Sequence, residues 1–274
     1  MSGKLYVVGT PIGNMNDLSP RGIETLKSVD FISAEDTRVT QKILNHFDIK
    51  QPLISYHEHN KREKGSIILD RIMNGENCAI VTDAGMPCIS DPGVDLVKLC
   101  RDSGVPVESV PGPTAFATAI AISGMEFKRF TFEGFLSVNK SERKEHLKEV
   151  QNESRTMIFY EAPHKLKQTL KDMQKTFGDR NIAICKEITK IHENVMRTTF
   201  TDAIKFYENE NPRGEYVIIV EGAKIDKNEQ PVTLEQAVLN AMELVKKGVS
   251  VNEASKTIAS ETGIKKSLIY KELL

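Results

Sequence analysis

Short apolar runs alternate with amphipathic stretches along the first half of the chain, which is the pattern of an α/β fold. Each apolar run is long enough for one strand, and several are followed by loops rich in glycine or proline. The predicted strands are residues 5–8, 29–34, 52–55, 79–82 and 105–110. The predicted helices are residues 17–27, 62–73, 96–101 and 114–122. We therefore expect one α/β domain over residues 1–124.

The second half mixes helices with strands that are separated by short turns, which favours antiparallel pairing. The predicted strands are residues 130–135, 156–160, 181–186, 195–199 and 216–220, and the predicted helices are 141–149 and 165–177. A polar segment at 224–230 is typical of a linker. Three helices are predicted after it, at 233–247, 251–261 and 265–274. These patterns predict a second α/β domain over residues 125–223 and a linker with a helical tail over residues 224–274.

The charge balance excludes one class of nucleic-acid-binding protein. Lys and Arg number 37 and Asp and Glu number 38, for a formal net charge of −1. The chain therefore cannot coat nucleic acid through bulk positive charge, and any RNA contact must come from local patches. The apolar runs are too short for a transmembrane helix, and the four cysteines lack the spacing of a zinc site or a disulfide framework. We expect a cytoplasmic protein with no metal ion and no membrane contact.

Three loops that follow predicted strands carry the unusual glycines and prolines. They are residues 9–14, 83–93 and 111–115, and ligands in open α/β sheets bind beyond the carboxyl ends of the strands. None has the spacing of a dinucleotide fingerprint or a P-loop. The loop at 83–93 is the strongest signal, because it packs two Asp, two Gly and two Pro into eleven residues. The alternatives are a plain tight turn at 9–14, a helix cap at Asp91 and an unusual helix start at 111–115.

The combination of these loops with four further motifs resembles the tetrapyrrole-methylase superfamily, the class III S-adenosylmethionine methyltransferases. The further motifs are Glu35-Asp36-Thr37-Arg38, Glu133-Gly134-Phe135-Leu136, Phe159-Tyr160-Glu161-Ala162-Pro163-His164 and Arg213-Gly214-Glu215-Tyr216. The segments at 35–38 and 159–164 are most similar to the branch that methylates a cytidine ribose 2′-oxygen in the 16S RNA of the small ribosomal subunit. Met86, Ser137 and Lys165 depart from the usual pattern.

The resemblance implies two α/β domains with S-adenosylmethionine in the cleft between them, and a homodimer that acts on the assembled small ribosomal subunit. An adenine needs an apolar slot, and the hydroxyl and carboxylate groups of the cofactor need hydrogen-bond donors and acceptors. The cofactor-binding candidates are Pro11, Asp83, Gly85, Ile89, Ser90, Pro113, Thr114, Ala115, Phe159, Tyr160, Ala162 and His164.

A ribose 2′-hydroxyl is a weak acid, so its methylation needs a base or a cation that stabilises the developing alkoxide. The candidates for this chemistry are Glu35, Asp36, Arg38, Lys186, Glu187 and Lys190. Alternatively, Arg38 pairs with Glu35 or Asp36 to brace a helix start, and the segment at 186–190 is an ordinary surface edge. His57 and His59 lack a partner carboxylate at ligand spacing, which favours a solvated loop.

Basic residues concentrate in two regions that suit an RNA backbone, although such runs are commonly solvated faces. Four of them, Lys140, Arg143, Lys144 and Lys148, open the second domain, and residues 161–197 hold eight Lys or Arg against five acids. The tail from Lys246 onward holds six Lys against three Glu. It is either a module that docks on RNA phosphates or a structural helical bundle.

Two other functions remain open at this stage. A tetrapyrrole methyltransferase of corrin or porphyrin synthesis would share the fold and the cofactor. A non-catalytic RNA-binding assembly factor would retain the fold alone. The segments at 35–38 and 159–164 disfavour the first, and the intact loops at 83–93 and 111–115 disfavour the second, because a pure binding module needs no rigid small-molecule cleft.

Overall fold

Ten strands form two five-stranded sheets in the computed structural model, which describes residues 2–224 and 233–274. The chain divides into two compact units, Met1–Ala223 and Lys224–Leu274, and both sheets belong to the first unit. Apart from Lys224, the predicted linker at 224–230 lies outside the described residues. The predicted α/β class is confirmed, and it includes the helical tail.

The first sheet is entirely parallel, with the strand order β3-β2-β4-β1-β5. Its strands are β1 (Leu5–Val8), β2 (Phe31–Ala34), β3 (Leu53–Ser55), β4 (Cys78–Val81) and β5 (Val107–Val110). The helices of this half are α1 (Pro20–Ser28), α2 (Thr37–His46), α3 (Lys61–Met73), α4 (Val94–Asp102) and α5 (Ala115–Ser123). All five predicted strands are present within two residues at each end.

Two helices were not predicted. No helix is predicted directly after β2, but Asp36 is the N-cap of α2 and accepts a hydrogen bond from the Arg38 N–H. The helix is amphipathic, with Thr40, Ile43 and Leu44 on its buried face at helical spacing, so the sequence does carry the pattern of this helix. The second unpredicted helix, α8 (Phe200–Asn209), follows a strand with no intervening loop residue.

The second sheet has the order β6-β7-β10-β8-β9. Its strands are β6 (Phe130–Phe135), β7 (Thr156–Glu161), β8 (Asn181–Lys186), β9 (Asn194–Thr199) and β10 (Tyr216–Val220). Three of its four pairings are antiparallel as predicted, but β6 and β7 run parallel, because the helix α6 (Lys140–Glu149) crosses over between them. Together with α7 (Leu166–Phe177) and α8, this helix packs on a core that includes Met157, Phe159, Ile184 and Ile218.

The helix α5 covers the opposite face of the second sheet, although the sequence places it at the end of the first domain. Ala119 and Ile120 pack there in one cluster with Ile158, Ala183 and Ile219. Arg197 of β9 fastens the end of the helix, with its Nε atom 2.6 Å from the Ser123 carbonyl oxygen and its Nη2 atom 2.7 Å from that of Ile122. The two sheets are therefore joined through α5 as well as through the connecting chain.

The second unit contains α9 (Leu234–Lys246), α10 (Val251–Thr262) and α11 (Lys266–Glu272) around a small core of its own. The core residues are Ala237, Ala241, Ala254, Ile258 and Ile269. Thr233 caps α9, and Gly263 ends α10 in the left-handed conformation. None of the helices among the described residues is both long and apolar enough to cross a membrane.

Candidate functional site

A cavity of about 400 Å³ opens at the carboxyl edge of the first sheet. It adjoins the adjacent strands β1 and β4, whose following helices lead to opposite sides of the sheet. Such a reversal of direction leaves a crevice where ligands of open α/β sheets bind. A β-bridge between Thr10 and Gly85 joins the loop after β1 to the loop after β4 across that crevice.

Both sheets contribute to the cavity wall. The first-sheet side consists of Ile12, Glu35, Asp83, Ala84, Gly85, Met86, Ile89, Ser90, Asp91, Thr114 and Ala115. The second-sheet side consists of Phe135, Tyr160, Glu161, Ala162, Pro163, Ile188, Glu215, Tyr216 and Val217. The wall therefore combines apolar surface with several carboxylates and short polar side chains.

Close backbone contact explains two of the glycines in the loops. A Cβ atom on Gly9 would lie 2.7 Å from the Gly112 Cα atom, and one on Gly112 would lie 2.8 Å from the Gly9 carbonyl oxygen. The first and third loops thus pack backbone against backbone, which only glycine permits. Packing between the loops, and not contact with a ligand, therefore explains the glycines at these two positions.

Gly85 has a different role, because it lines the cavity itself. Its φ of +91° lies in a region that residues with a Cβ atom rarely adopt. Its N–H and C=O both bond to the backbone of Thr10, at 3.2 and 2.9 Å. This pairing sets the shape of the loop at 83–93 where it faces the cavity.

Three carboxylates, Glu35, Asp83 and Asp91, lie on the first-sheet side of the cavity. Thr82 donates its hydroxyl to Glu35 at 2.6 Å, and the Asp36 N–H donates to Asp83 at 3.1 Å. Burial raises the pKa of Asp83, and the nearby charges of Glu35 and Asp36 add to that effect. Burial, followed by the charge of Glu35, raises the pKa of Asp91 to about 6.

Asp91 does not cap the helix that follows it, contrary to one alternative from the sequence. The N-cap of α4 is Gly93, and no side chain bonds to the first turn of this helix. Gly93, with φ +137°, separates Asp91 and Pro92 from the helix start. Asp91 is instead directed into the cavity, where its carboxylate adds to those of Glu35 and Asp83.

The second-sheet wall centres on Tyr160 and Glu161. The Tyr160 hydroxyl oxygen accepts from the Phe116 N–H at 3.0 Å, close to the start of α5. Glu161 is buried, with 3% exposure, and accepts hydrogen bonds from the Ala162 N–H and the Thr169 hydroxyl. Both side chains are held in fixed positions at the end of β7.

The cavity brings together eight of the predicted cofactor-binding residues: Asp83, Gly85, Ile89, Ser90, Thr114, Ala115, Tyr160 and Ala162. The other four, Pro11, Pro113, Phe159 and His164, lie outside its lining. Phe159 is buried in the helix-covered core, because neighbouring strand residues point to opposite faces and Tyr160 faces the cavity. Pro11 is buried beside Ile12, and His164 is exposed to solvent.

Among the predicted catalytic residues, Glu35 lines the cavity and the other five do not. Arg38 forms a two-pronged ion pair with Asp36, with contacts of 3.0 and 2.5 Å. This pairing lowers the pKa of Asp36 to about 2. It matches the alternative in which Arg38 braces a helix start, although the Arg38 side chain remains 87% exposed.

Glu187 and Lys190 hold the turn after β8 next to the cavity. Lys190 Nζ lies 2.9 Å from both the Glu187 and the Glu215 carboxylates. Although burial raises the pKa of Glu187, hydrogen bonds from Lys190 and the Glu215 N–H lower it overall. These contacts fix Glu215 and Ile188, which do line the cavity. Lys186 ends β8 next to this turn, outside the lining.

Several residues of the wall are absent from the predicted site. Ile12, Phe135 and Glu215 lie in motifs that the sequence identifies. Pro11 is the predicted site residue next to Ile12, whereas no site residue is predicted in the motifs that contain Phe135 and Glu215. The position of Ile188 in the wall could not be predicted from the sequence, because it depends on the turn after β8. In that turn Glu187 and Thr189 adopt positive φ values of +53° and +67°.

Part of the predicted basic surface is already paired. Arg143 of α6 forms an ion pair with Asp172 of α7 at 2.9 Å, with 15% of its side chain exposed.

The rings of His57 and His59 lie 6.0 Å apart. Over residues 2–224 and 233–274, no group of three or more His, Cys, Asp or Glu is placed to hold a metal ion.

Comparison with known proteins identifies close relatives. The family model of the Tetrapyrrole (Corrin/Porphyrin) Methylases matches residues 4–204. A protein from Synechocystis is 41% identical over 271 residues, covering 98% of this chain and 96% of its own length. One from Bacillus subtilis is 42% identical over 271 residues, covering 98% and 93%. Both are named Ribosomal RNA small subunit methyltransferase I.

A relative of the same name from Thermotoga maritima is 44% identical over 220 residues, which is 80% of this chain but 99% of that protein. The match is close in length to the first structural unit. Among solved structures, diphthine synthase has a TM-score of 0.61 at 12% identity, covering 80% of this chain and 90% of that one. Cobalt precorrin-4 methyltransferase has a TM-score of 0.58 at 20% identity, covering 80% and 94%. These structures share the fold.

Proposed function

The chain belongs to the tetrapyrrole methylase family, in the group of ribosomal RNA small subunit methyltransferases I, and from this premise we propose that it methylates 16S ribosomal RNA. The methyl group comes from S-adenosylmethionine and is transferred to the ribose 2′-oxygen of a cytidine. The observation that carries the proposal is identity above 40% over nearly the full length of relatives with that name.

The cavity has a size and lining that fit S-adenosylmethionine. Its volume of about 400 Å³ falls within the usual range of small-molecule sites. Ile12, Ile89, Ala115 and Val217 offer apolar surface for the adenine ring. The carboxylates and the Thr114 hydroxyl supply partners for the ribose hydroxyls and the ammonium group. We propose that the predicted residues in the lining bind the cofactor.

Methyl transfer requires the 2′-hydroxyl to lose its proton as the oxygen attacks. When bound, S-adenosylmethionine supplies an electrophilic methyl group on a positively charged sulfur. Glu35, Asp83 and Asp91 are the acceptors that we propose for the proton. A half-buried carboxylate with a raised pKa is a stronger base than an exposed one, which favours Asp91 among the three.

Arg38 and Lys186 remain candidates for contact with the RNA. Arg38 is exposed next to Asp36, whose N–H reaches the cavity residue Asp83. Its guanidinium can therefore meet an RNA phosphate or the acceptor ribose without leaving its ion pair. Glu187 and Lys190 are better described as positioning residues, because they hold Glu215 and the turn after β8 in place.

The relatives weigh against the two alternative functions. Cobalt precorrin-4 methyltransferase is a tetrapyrrole enzyme, but at 20% identity its likeness to this chain shows the fold and not the substrate. A non-catalytic assembly factor has no need of the cavity. The assembled small subunit, rather than naked RNA, is the substrate form that we propose, and the cytoplasm is therefore the proposed location.

We also propose a homodimer, as the resemblance implies. Large apolar side chains are exposed on and beside the edge strand β6, namely Phe127, Phe130, Phe135 and Val138. Exposed apolar groups on an unpaired strand edge are typical of an association surface. Sedimentation at micromolar concentration tests this part independently of catalysis.

The proposed activity is tested on small ribosomal subunits from a strain that lacks the modification. The full chain is incubated with these subunits and S-adenosylmethionine, and nucleosides from the 16S RNA are analysed by mass spectrometry. We expect 2′-O-methylcytidine to appear. Naked 16S RNA and a precorrin serve as competing substrates. Methylation of the precorrin alone would favour the tetrapyrrole alternative, and cofactor binding with no methylation of any substrate would favour the assembly factor.

A further inference from the structure

The cavity wall is acidic to an unusual degree. It contains five carboxylates, from Glu35, Asp83, Asp91, Glu161 and Glu215. Within the described part of the chain, no Lys, Arg or His side chain lines it. The chain as a whole has a net charge of only −1, so this concentration of negative charge is local to the cavity.

Most of this charge is not neutralised by the protein. Lys190 pairs with Glu215 at 2.9 Å. The other four carboxylates take part in no ion pair within residues 2–224 and 233–274. The partners described for Glu35, Asp83 and Glu161 are neutral, consisting of hydroxyl groups and backbone N–H groups. Neutral donors orient a carboxylate but leave its charge in place.

Partial burial strengthens the effect of these charges on a ligand. A charge near a protein surface interacts several times more strongly than one in bulk water, because the effective dielectric constant is lower. Salt also screens such groups less than exposed ones. Burial and the charge of Glu35 raise the pKa values of Asp83 and Asp91, as expected where negative charges are crowded and partly desolvated.

S-adenosylmethionine and its product differ by one positive charge at the sulfur. Transfer of the methyl group as a cation leaves the carbon–sulfur electron pair on sulfur, so S-adenosylhomocysteine is a neutral thioether at that atom. Apart from the transferred methyl group, the rest of the two molecules is identical. A wall that carries uncompensated carboxylates therefore interacts differently with the two through charge alone.

We propose that the carboxylates of Glu35, Asp83, Asp91 and Glu161 let this cavity distinguish its cofactor by charge. Loss of the sulfonium charge in the reaction then lowers the affinity of the cavity for the product. This inference rests on the proposed function, because it assumes that the cavity binds S-adenosylmethionine. It assigns to these residues the discrimination between cofactor and product.

The test compares affinities of the full chain for three ligands by calorimetry near pH 7. The ligands are S-adenosylmethionine, S-adenosylhomocysteine and sinefungin, which carries a protonated amine near the position of the sulfonium. The variants Asp91→Asn and Glu35→Gln remove one charge each with little change of shape. Asp102→Asn is the control, because it removes an exposed charge outside the cavity lining.

We expect Asp91→Asn or Glu35→Gln to lower the ratio of the product Kd to the cofactor Kd by about tenfold, which corresponds to ~1.4 kcal/mol. Sinefungin should follow S-adenosylmethionine, and the control should leave the ratio unchanged. A ratio that stays within twofold of the wild type in both variants, with thermal melting confirming that they fold, would overturn the inference and leave the proposed function intact. Failure of the wild-type chain to bind either nucleoside would overturn both.

Discussion

The Tyr160 hydroxyl oxygen accepts a hydrogen bond from the Phe116 N–H at 3.0 Å. This contact links the cavity wall on the second sheet to the first turn of α5. The ring of Tyr160 packs against Phe132 and Phe135, at centroid distances of 5.0 and 5.3 Å. Burial raises the pKa of Tyr160 to about 12, so the hydroxyl stays neutral at physiological pH.

Replacing this tyrosine tests the strength of the link. We expect Tyr160→Phe to lower the free energy of unfolding by about 1 kcal/mol, because a helix-terminal N–H loses its acceptor. Urea denaturation measures the change. Tyr6→Phe is the control, because the Tyr6 hydroxyl makes no hydrogen bond within the described residues. Equal stability of the two variants would mean that water replaces the missing acceptor.

Substitution of Gly85 should damage cofactor binding. A Cβ atom there would lie 3.4 Å from the Ile12 Cγ2 atom, and the φ of +91° opposes any residue larger than glycine. We expect Gly85→Val to weaken S-adenosylmethionine binding at least tenfold, or about 1.4 kcal/mol. Gly104→Val is the matched control, since Gly104 also has a positive φ but has open space around it. Unchanged calorimetric affinity in a folded Gly85→Val variant would remove this loop from the cofactor site.

Arg38 and Lys186 are tested through turnover. We expect Arg38→Ala and Lys186→Ala to slow methylation of small subunits while cofactor affinity stays within twofold. Removing one group that stabilises developing charge typically costs about 100-fold in rate. Arg38→Lys keeps the charge but loses the planar fork that binds Asp36. It therefore separates the ion pair with Asp36 from the proposed charge contact with the RNA. Wild-type rates in both alanine variants would confine these residues to structural roles.

Asp91 should leave a signature in the pH dependence of stability. Its pKa in the folded chain is about 6, above the ordinary value of an unfolded Asp near 3.9. The folded state therefore binds its proton more tightly, and the contribution of Asp91 to stability is complete below about pH 4 and lost as the pH rises to about 6.

The variant Asp91→Asn removes the loss of folding stability that the ionisation of Asp91 causes as the pH rises. Between about pH 4 and pH 7 we expect the variant to gain about 1 kcal/mol relative to the wild type, a figure reduced for solvent screening of a half-buried group. Urea denaturation at several pH values measures the difference. Asp102→Asn should track the wild type throughout, and a flat difference for Asp91→Asn would mean that Asp91 is already well solvated.

The helical unit is tested through its lysines. Lys265 and Lys266 are exposed at the start of α11. If this unit grips RNA phosphates, reversing both charges should weaken binding to small subunits and reduce the steepness of its salt dependence, by about one unit for each phosphate that the variant no longer binds. Reversal of the exposed Lys42 and Lys50 in the first unit controls for overall charge.

A shortened chain provides a second measurement for the same unit. We expect a chain that ends at Gly222 to bind S-adenosylmethionine as the full chain does, in line with the relative from Thermotoga maritima that is matched by 220 residues. Its affinity for small subunits should be lower. Loss of cofactor binding or of folding would make the tail a structural element.

Local patterns in the sequence determined the strands, most of the helices and the loops that carry chemistry. Strand runs such as the one at 79–82 end in a Gly- and Pro-rich loop, and that order alone placed residues 83–93 at a ligand-binding edge. The family motifs also lie within single short segments. These features are visible in a sequence because they depend on neighbours a few residues apart.

The tertiary structure decided which side chains face the cavity. Tyr160 lines it and Phe159 does not, because the pleat sends them to opposite faces and only the assembled sheet determines which face meets α5. Asp91 lines the cavity and does not cap a helix, because the N-cap of α4 is Gly93. Ile12 and Glu215 line the same cavity from its two sides although they are far apart along the chain. Contacts of that range depend on how two sheets pack, and no periodicity within either segment encodes them.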